Sequence, residues 1–499
     1  MSIPTTLRVP FTYVEFDSSR AFVGPSILAY RALIVGAMLA AGTKTADEIV
    51  RITSAGQAAT FWGAGSNMHR MAIAWFANNK TTEVYGQGVT EATGAQGAVD
   101  LVITGNATAD GTFYLYVVGK LIQVAVSSGD TPTVVSGAIE TAVNADTTLP
   151  VTCDGSSVGG TATFTAKNTG LTGNDIDIRI NMNDGEELPA GESVTVGGSG
   201  HQGFLTGGSG AVDLTSAIAA WSDEWYNVIV SEVNDATNIA LVEAELTDRF
   251  GPIRMIDGVY FTGYRGNLSG LSSYGNARNS PHVVVMENGG AAGIGSPSTT
   301  MEKAASTAGR VAASAENDPA QPFQTLELVG IIPPAVSERF TLTERNTLLF
   351  DGIATSVVSG GRVRIERAIT TYQTNAQSAA DVAYLDSNTL FILMYLRYDF
   401  RTQIQTRYPR AKLADDGVQV APGQSVMTPK VGRAEAVAIF RAWENLGLVE
   451  NVEQFKTDLV VERNQSDPNR MDWILPPDLI NQLRVNGATI QFLLQSPSL

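Results

Sequence analysis

The stretch Ala32 to Leu39, ALIVGAML, decides the fold class. An uncharged apolar run of this length suits a strand covered on both faces, as in a parallel sheet; a strand with one wet face would alternate instead. After this run, helical stretches are expected around 55–62 and 67–78, with a strand near 82–85. Further along, the reading gives helix 216–221, strand 226–231, helix 236–250, strand 255–262, helix 268–276 and strand 282–286. Strands alternating with helices of this length form βαβ units around a mainly parallel sheet. The fold class read here is therefore α/β and α+β, multi-domain, with a mainly parallel α/β core.

Two glycine-rich seams bracket a stretch of different character: Gly86 to Gly97 (GQGVTEATGAQG) and Gly197 to Gly210 (GGSGHQGFLTGGSG). Between them lie short alternating runs at 99–104, 111–118, 121–126, 151–154, 162–166, 176–181 and 193–196, with one helical piece at 133–145. Evenly spaced short strands with turn signals predict an inserted β-sandwich. Gly/Ser-rich seams are expected to act as flexible linkers, with the insert hung on the outside of its host. The domain plan is an N-terminal arm at 1–20, an α/β host at 21–87 and 208–295, the insert at 88–207 and a Gly/Ser/Ala-rich connector at 296–325. A C-terminal α+β domain at 326–480 and a C-terminal arm at 481–499 complete it.

Composition excludes several functions. The net charge of −17 disfavours nucleic acid as a partner, because phosphate binding needs a concentrated basic surface. The single cysteine, Cys153, leaves no internal disulfide to form. No run approaches the length of a membrane span, and no basic-then-apolar leader opens the chain, so neither membrane insertion nor secretion is expected. His69, His201 and His282 fall in separate segments without metal-ligand spacing to one another or to Cys153. No phosphate loop and no nucleophile elbow occur. Asp223 and Glu224 are sequence neighbours at the mouth of a strand and read as a solvated helix end. No enzyme activity, cofactor or metal is expected.

The two ends carry a different signal. Thr6 to Phe16 (TLRVPFTYVEF) places Leu7, Val9, Phe11 and Tyr13 on one face at period two, and Gly487 to Leu494 (GATIQFLL) offers Thr489, Ile490 and Phe492. An unpaired apolar strand is a liability that a monomer avoids. Such ends suit a subunit that lends strands to its neighbours; they also suit strands that complete their own chain's sheet.

In the C-terminal third the residues stop being generic. The run 326–358 (LELVGIIPPAVSERFTLTERNTLLFDGIATSVV) is followed by Gly361 to Arg367 (GRVRIER), Thr370-Thr371-Tyr372, Lys412 to Gly417 (KLADDG), Val431 to Glu435 (VGRAE) and Asp472 to Leu483 (DWILPPDLINQL). With Arg8-Val9-Pro10 and Tyr13 to Asp17 at the front, these segments resemble the tail sheath protein of contractile bacteriophages, of the Mu-like kind. The resemblance spans nearly the whole chain and is weakest over the insert. It implies a structural virion subunit, assembled in the host cytoplasm into stacked hexameric rings around a tail tube. On triggering, the sheath would contract and drive the tube through the host envelope. The implied partners are further copies of the chain joined through terminal arms, the tail tube protein, and the baseplate and tail terminator proteins. A static self-assembling coat or surface-layer protein, and an α/β hydrolase with a dispersed site, are the alternative readings.

One segment is expected to meet the tube. Residues 379–408 read as a helix with Val382, Leu385, Thr389, Leu393, Leu396, Phe400 and Ile404 on one face, stopped by Pro409. Arg397, Arg401 and Arg407 gather towards its C-terminal end, followed by Arg410 and Lys412. They suit an acidic tube surface, and equally suit complementing the negative end of the helix macrodipole.

Overall fold

The computed structural model describes residues 28–494 apart from 199, 420 and 422. The front segment with Leu7, Val9, Phe11 and Tyr13 therefore lies outside the described residues. The chain divides into two compact units, one containing Ala29–Met394 with residues 481–494, the other containing Tyr395–Ile480.

In the larger unit, β1 (Arg31–Ala37), β2 (Ile49–Ile52), α1 (Ala55–Trp62), α2 (Asn67–Asn78) and β3 (Glu83–Val89) begin the core. A mainly β excursion follows: β4 (Ala98–Thr104), β5 (Gly111–Val117), β6 (Lys120–Val126), α3 (Pro132–Ala145), β7 (Val151–Asp154), β8 (Thr161–Ala166), β9 (Asp177–Ile180), β10 (Ser193–Val196) and β11 (Gln202–Phe204). The core then resumes with α4 (Thr215–Ala220), β12 (Val228–Ser231), α5 (Ala236–Phe250), β13 (Val259–Tyr264), α6 (Leu268–Asn276), β14 (Val283–Glu287), α7 (Thr300–Asn317), α8 (Leu342–Phe350) and the hairpin β15 (Thr355–Ser359) and β16 (Arg362–Arg367). The central sheet has six strands in the order β14-β13-β12-β1-β3-β2, parallel except for the edge strand β2. Its middle strands are buried along their length, which is why β1 and β12 read as unbroken apolar runs. The excursion forms two antiparallel four-stranded sheets, β10-β4-β8-β7 and β11-β9-β5-β6. Leu101, Phe113, Leu115, Phe164 and Ile178 fill the space between them, and α3 adds Val135, Ile139 and Val143 to the same core.

Two segments depart from the sequence reading. Gly86 and Gly88 are not linker residues: they lie in β3, and a Cβ at either would fall 2.2–2.3 Å from the Trp62 ring. Glycine is needed here because the indole lies flat on the strand. The expected connector at 296–325 holds the long buried helix α7, opened by a Thr299/Glu302 capping box. Its small residues let α2 approach closely, and the interface is zipped by polar contacts. Asn78 Nδ2 donates to Ser306 Oγ at 3.0 Å, Asn79 Nδ2 to Gly309 O at 3.0 Å, and Arg70 pairs with Glu302. Composition alone does not separate a Gly/Ser/Ala linker from such a helix.

The sandwich is also bolted to the core rather than hung from it. From the loop after β8, Asn168 Oδ1 accepts the Asn67 N–H at 2.9 Å while its Nδ2 donates to Met38 O at 3.1 Å. Glu91 Oε2 accepts the Thr169 N–H at 2.9 Å. Asp175 accepts from both Arg265 Nε and the Thr300 N–H at the start of α7, and Arg265 also donates to the carbonyls of Ile294, Ser296 and Ser298. Asp175→Ala strands this largely buried guanidinium and a helix-end N–H, so a loss of about 2–4 kcal/mol is expected in chemical unfolding. Asp184→Ala, at an exposed position of the same sandwich, should stay within about 0.5 kcal/mol.

The smaller unit takes up the chain within α9 (Ser387–Arg407) and continues through β17 (Lys412–Leu413), β18 (Val426–Met427), α10 (Pro429–Asn445), β19 (Val449–Glu450), α11 (Val452–Asp458), β20 (Val460–Arg463), β21 (Met471–Ile474) and β22 (Asp478–Leu479). Phe440, Trp443 and Phe455 pack its centre, with Phe440 stacked on Phe455 at 4.1 Å. Among the described residues its strands pair two by two: β17 with β18, β19 with β22, and β20 with β21.

Candidate assembly surfaces

The C-terminal segment is fixed at one point and then exposed. Arg367 grips Asp386 through two parallel bonds of 3.0 and 2.8 Å, and Arg484 reaches the same carboxylate at 3.0 Å. Arg484 also donates to Asn388 Oδ1 at 3.1 Å, while the Asn388 amide nitrogen donates to the carbonyls of Pro319 and Gln321. Beyond this knot no ladder forms among residues 485–494, so the strand expected at Gly487 to Leu494 is absent from the single chain. Thr489 is exposed, as are Ile490 (87 %), Phe492 (77 %), Leu493 (99 %) and Leu494 (84 %). A backbone segment can make strand bonds only where a partner edge lies within reach, and none of the described residues pairs with this segment.

The basic helix begins later than its apolar spacing predicts. α9 starts at Ser387, and Val382 lies outside it, 74 % exposed. Of the face expected to be apolar, only Leu396 is buried; Leu390, Phe391, Ile392 and Met394 supply the rest of the buried set. Apolar residues nearly surround this part of the helix, so steps of three and four did not single out one face. In the smaller unit, Asp399 is buried and accepts from Trp443 Nε1 at 2.7 Å and Gln403 Nε2 at 2.5 Å. Arg407 pairs with Glu435 at 2.5 Å and with Gln403 Oε1 at 2.7 Å, and the Tyr408 hydroxyl donates to the same Glu435. Arg397, Arg401 and Arg407 are all half-buried; Arg410 and Lys412 are the exposed cations that follow. Arg407 thus holds α9 to α10, a role that sequence spacing could not show because Glu435 is 28 residues away.

The isolated titratable groups are structural in setting. Burial pulls His69 down to about 4, helped by nearby Arg70 and Lys167, and its Nδ1 accepts the Gly65 N–H at 2.9 Å. Burial pushes the Cys153 thiol up to about 12. Burial also pushes Glu232 up to about 7; the Ala37 N–H and Asn67 amide oppose this in part, and Glu91 adds to it. His282 is buried with its ring 5.2 Å from Phe250, and His201 is exposed. Among the described residues no three His, Cys, Asp or Glu side chains converge as a metal cluster, and no helix is long and apolar enough to cross a membrane.

The larger unit ends in an exposed apolar segment leaving an anchored knot, and the described strands of the smaller unit form short two-stranded sheets. Residues 207–371 match the model for the phage tail sheath protein central domain, and residues 379–492 match that for the phage tail sheath C-terminal domain. A Mu-like prophage FluMu tail sheath protein of Haemophilus influenzae is 38 % identical over 495 residues, covering 99 % of each chain. The chain belongs to the phage tail sheath protein family, and it is a structural subunit of a contractile tail sheath, a component of the virion tail. Among solved structures, a sheath tail protein of Desulfitobacterium hafniense aligns at TM-score 0.48 and 14 % identity, covering 94 % of this chain and 100 % of that one. The PVC sheath complex of an extracellular contractile injection system, in its contracted state, aligns at TM-score 0.48 and 11 % identity, covering 98 % of each.

The His69 environment sets a pH dependence. A histidine whose folded pKa lies below its unfolded value contributes stability above the unfolded value, lost as pH falls from about 6.5 towards 4. Stability of the full chain should therefore drop by on the order of 1–2 kcal/mol between pH 7 and pH 5 through this group. His69→Asn, which keeps an acceptor for Gly65, should flatten that part of the melting-temperature profile.

Proposed function

We propose that this subunit polymerises as six-membered rings stacked helically around the tail tube, and that its terminal segments link each copy to its neighbours as strands. The observation that carries this reading is the apolar run at 485–494, exposed and without a ladder beyond the Arg484 anchor. The two-stranded sheets of the smaller unit supply open edges of the kind that strand addition uses. Backbone ladders suit a contractile polymer, because they can keep copies joined while the compact units change their packing. The work of contraction would come from the difference between two packings of one chain, with no nucleotide consumed. Assembly in the host cytoplasm, triggering by the baseplate and closure by a tail terminator complete the reading. The bolted sandwich would ride with its core on the outside of the sheath.

For the tube contact, the C-terminal end of α9 is the proposed surface. Arg397 and Arg401 are four residues apart and share a face, with exposed Arg410 and Lys412 beyond. Arg407 supports this face through Glu435. Exposed ion pairs are individually weak, at about 0.2–1 kcal/mol, which suits a contact that must release.

Two outcomes test the reading. Truncation after Arg484 retains the anchor, so the melting of the subunit should be unchanged while sedimentation and negative-stain microscopy show loss of tubes; tubes of normal yield would place the linkage elsewhere. Reversing Arg401 and Arg410 to Glu should weaken co-sedimentation with purified tail tubes while leaving sheath self-assembly intact. Wild-type binding should fall as added salt screens the charges.

A further inference from the structure

A small cavity of about 40 Å³ lies where the bolted sandwich meets the carboxyl ends of the central strands. Thr169, Thr172 and Gly210 line it from the sandwich side, and Glu232, Asn234 and Asp235 from the core side. Glu232 follows β12 directly and is only 3 % exposed. Its Oε1 accepts the Ala37 N–H from the end of β1 at 2.6 Å, and the Asn67 amide also favours its charged form, yet among the described residues no group meets its buried Oε2 in ordinary hydrogen-bond geometry. A buried carboxylate oxygen without a donor is costly, and calls for a cation, a proton or an ordered water.

The surroundings select among these. The lining side chains that carry heteroatoms offer oxygen and no sulfur or imidazole. Asn234 spends its amide nitrogen on Gly263 O at 2.7 Å, so oxygen is what that amide has left to offer. Thr169 Oγ1 donates to Ala92 O, and Thr172 Oγ1 accepts from Asn67 Nδ2, so each hydroxyl oxygen retains a free lone pair. Asp235 caps α5 by accepting from the Asn238 N–H and Nδ2, and a carboxylate has further lone pairs beyond these two bonds. Glu91, near enough to raise the charging cost of Glu232, adds negative potential. The site also sits at the switch point of the sheet: β1 is flanked by β3, reached before the sandwich, and β12, reached after it. Crevices at the carboxyl ends of strands at such points are where open α/β sheets bind ligands.

We propose that this cavity is a calcium site, with Glu232 and Asp235 as its charged ligands and Asn234, Thr169, Thr172 and backbone carbonyls as neutral ones. Oxygen-only ligands of mixed type and irregular placement suit Ca²⁺, which accepts 6–8 oxygens in flexible geometry, better than Mg²⁺, which demands a near-ideal octahedron. With two carboxylates and the positive end of α5 nearby, the affinity belongs to the weak class of about 10⁻⁴–10⁻³ M. The bound ion would draw the sandwich root and the core strands together, adding to the Asp175 bolt.

The test uses the full-length chain, stripped of divalent ions and titrated with CaCl₂, with MgCl₂ at equal concentration as the control for general screening of an acidic surface. Equilibrium dialysis should give a component of one Ca²⁺ per chain, absent from the variants, and the melting temperature should rise saturably with Ca²⁺ and less with Mg²⁺. Glu232→Gln should weaken half-saturation by more than the roughly tenfold that loss of an outer-shell partner costs. Asp235→Asn, which keeps the helix cap, should weaken it in the same direction and serves if Glu232→Gln does not fold. Equal responses to the two ions, or a Ca²⁺ response unchanged in both variants, would overturn the site. A rise in calcium-free stability of Glu232→Gln with no calcium response in the wild type would make Glu232 a buried protonated acid instead.

Discussion

The contact between Asp175 and Arg265 is the constraint on which the larger unit depends. One carboxylate closes the first turn of α7, the helix buried against the central sheet, and grips a guanidinium whose other nitrogens bind three carbonyls in the approach to that helix. The carboxylate comes from the sandwich and everything it holds comes from the core. Removing it would leave a buried cation and a helix end unsatisfied together, a larger loss than a surface ion pair could cause. A sandwich joined in this way moves with its core. In a sheath, those bonds would have to break before the sandwich could part from its core.

Packing within the larger unit and exposure of the segment after Arg484 belong together. Where Arg484 binds Asp386 and Asn388 the chain is fixed, and ten residues later it is still exposed and apolar. Such a segment is a poor surface for a monomer and a good one for a polymer, since each strand hydrogen bond it lacks can be made on a neighbour. The smaller unit shows the complementary lack. Among the described residues its strands form only two-stranded sheets, yet Phe440, Trp443 and Phe455 give it a packed centre.

Much of the mixed α/β character was legible because buried parallel strands leave unbroken apolar runs, as ALIVGAML does, and the helices between them carry their own period. The errors share a physical origin: small residues serve opposite ends. Gly86 and Gly88 look like linker glycines, but their missing side chains make room for Trp62. The Ala, Ser and Gly of α7 look like a tether, but they permit close packing on α2. The arginines of α9 were visible as a basic cluster, whereas the partner of Arg407 lay on another helix and could not be read from spacing. The cavity beside Glu232 was unreadable for the same reason, since chain positions from 169 to 235 meet there only after folding.

The most direct measurement is a cryo-EM reconstruction of tubes assembled from the purified chain, at a resolution that traces residues 485–494. This segment should form backbone ladder bonds with a neighbouring copy, while Arg484 keeps its grip on Asp386 of its own chain. A segment folded back onto its own chain, or left without strand partners in a fully formed tube, would contradict it.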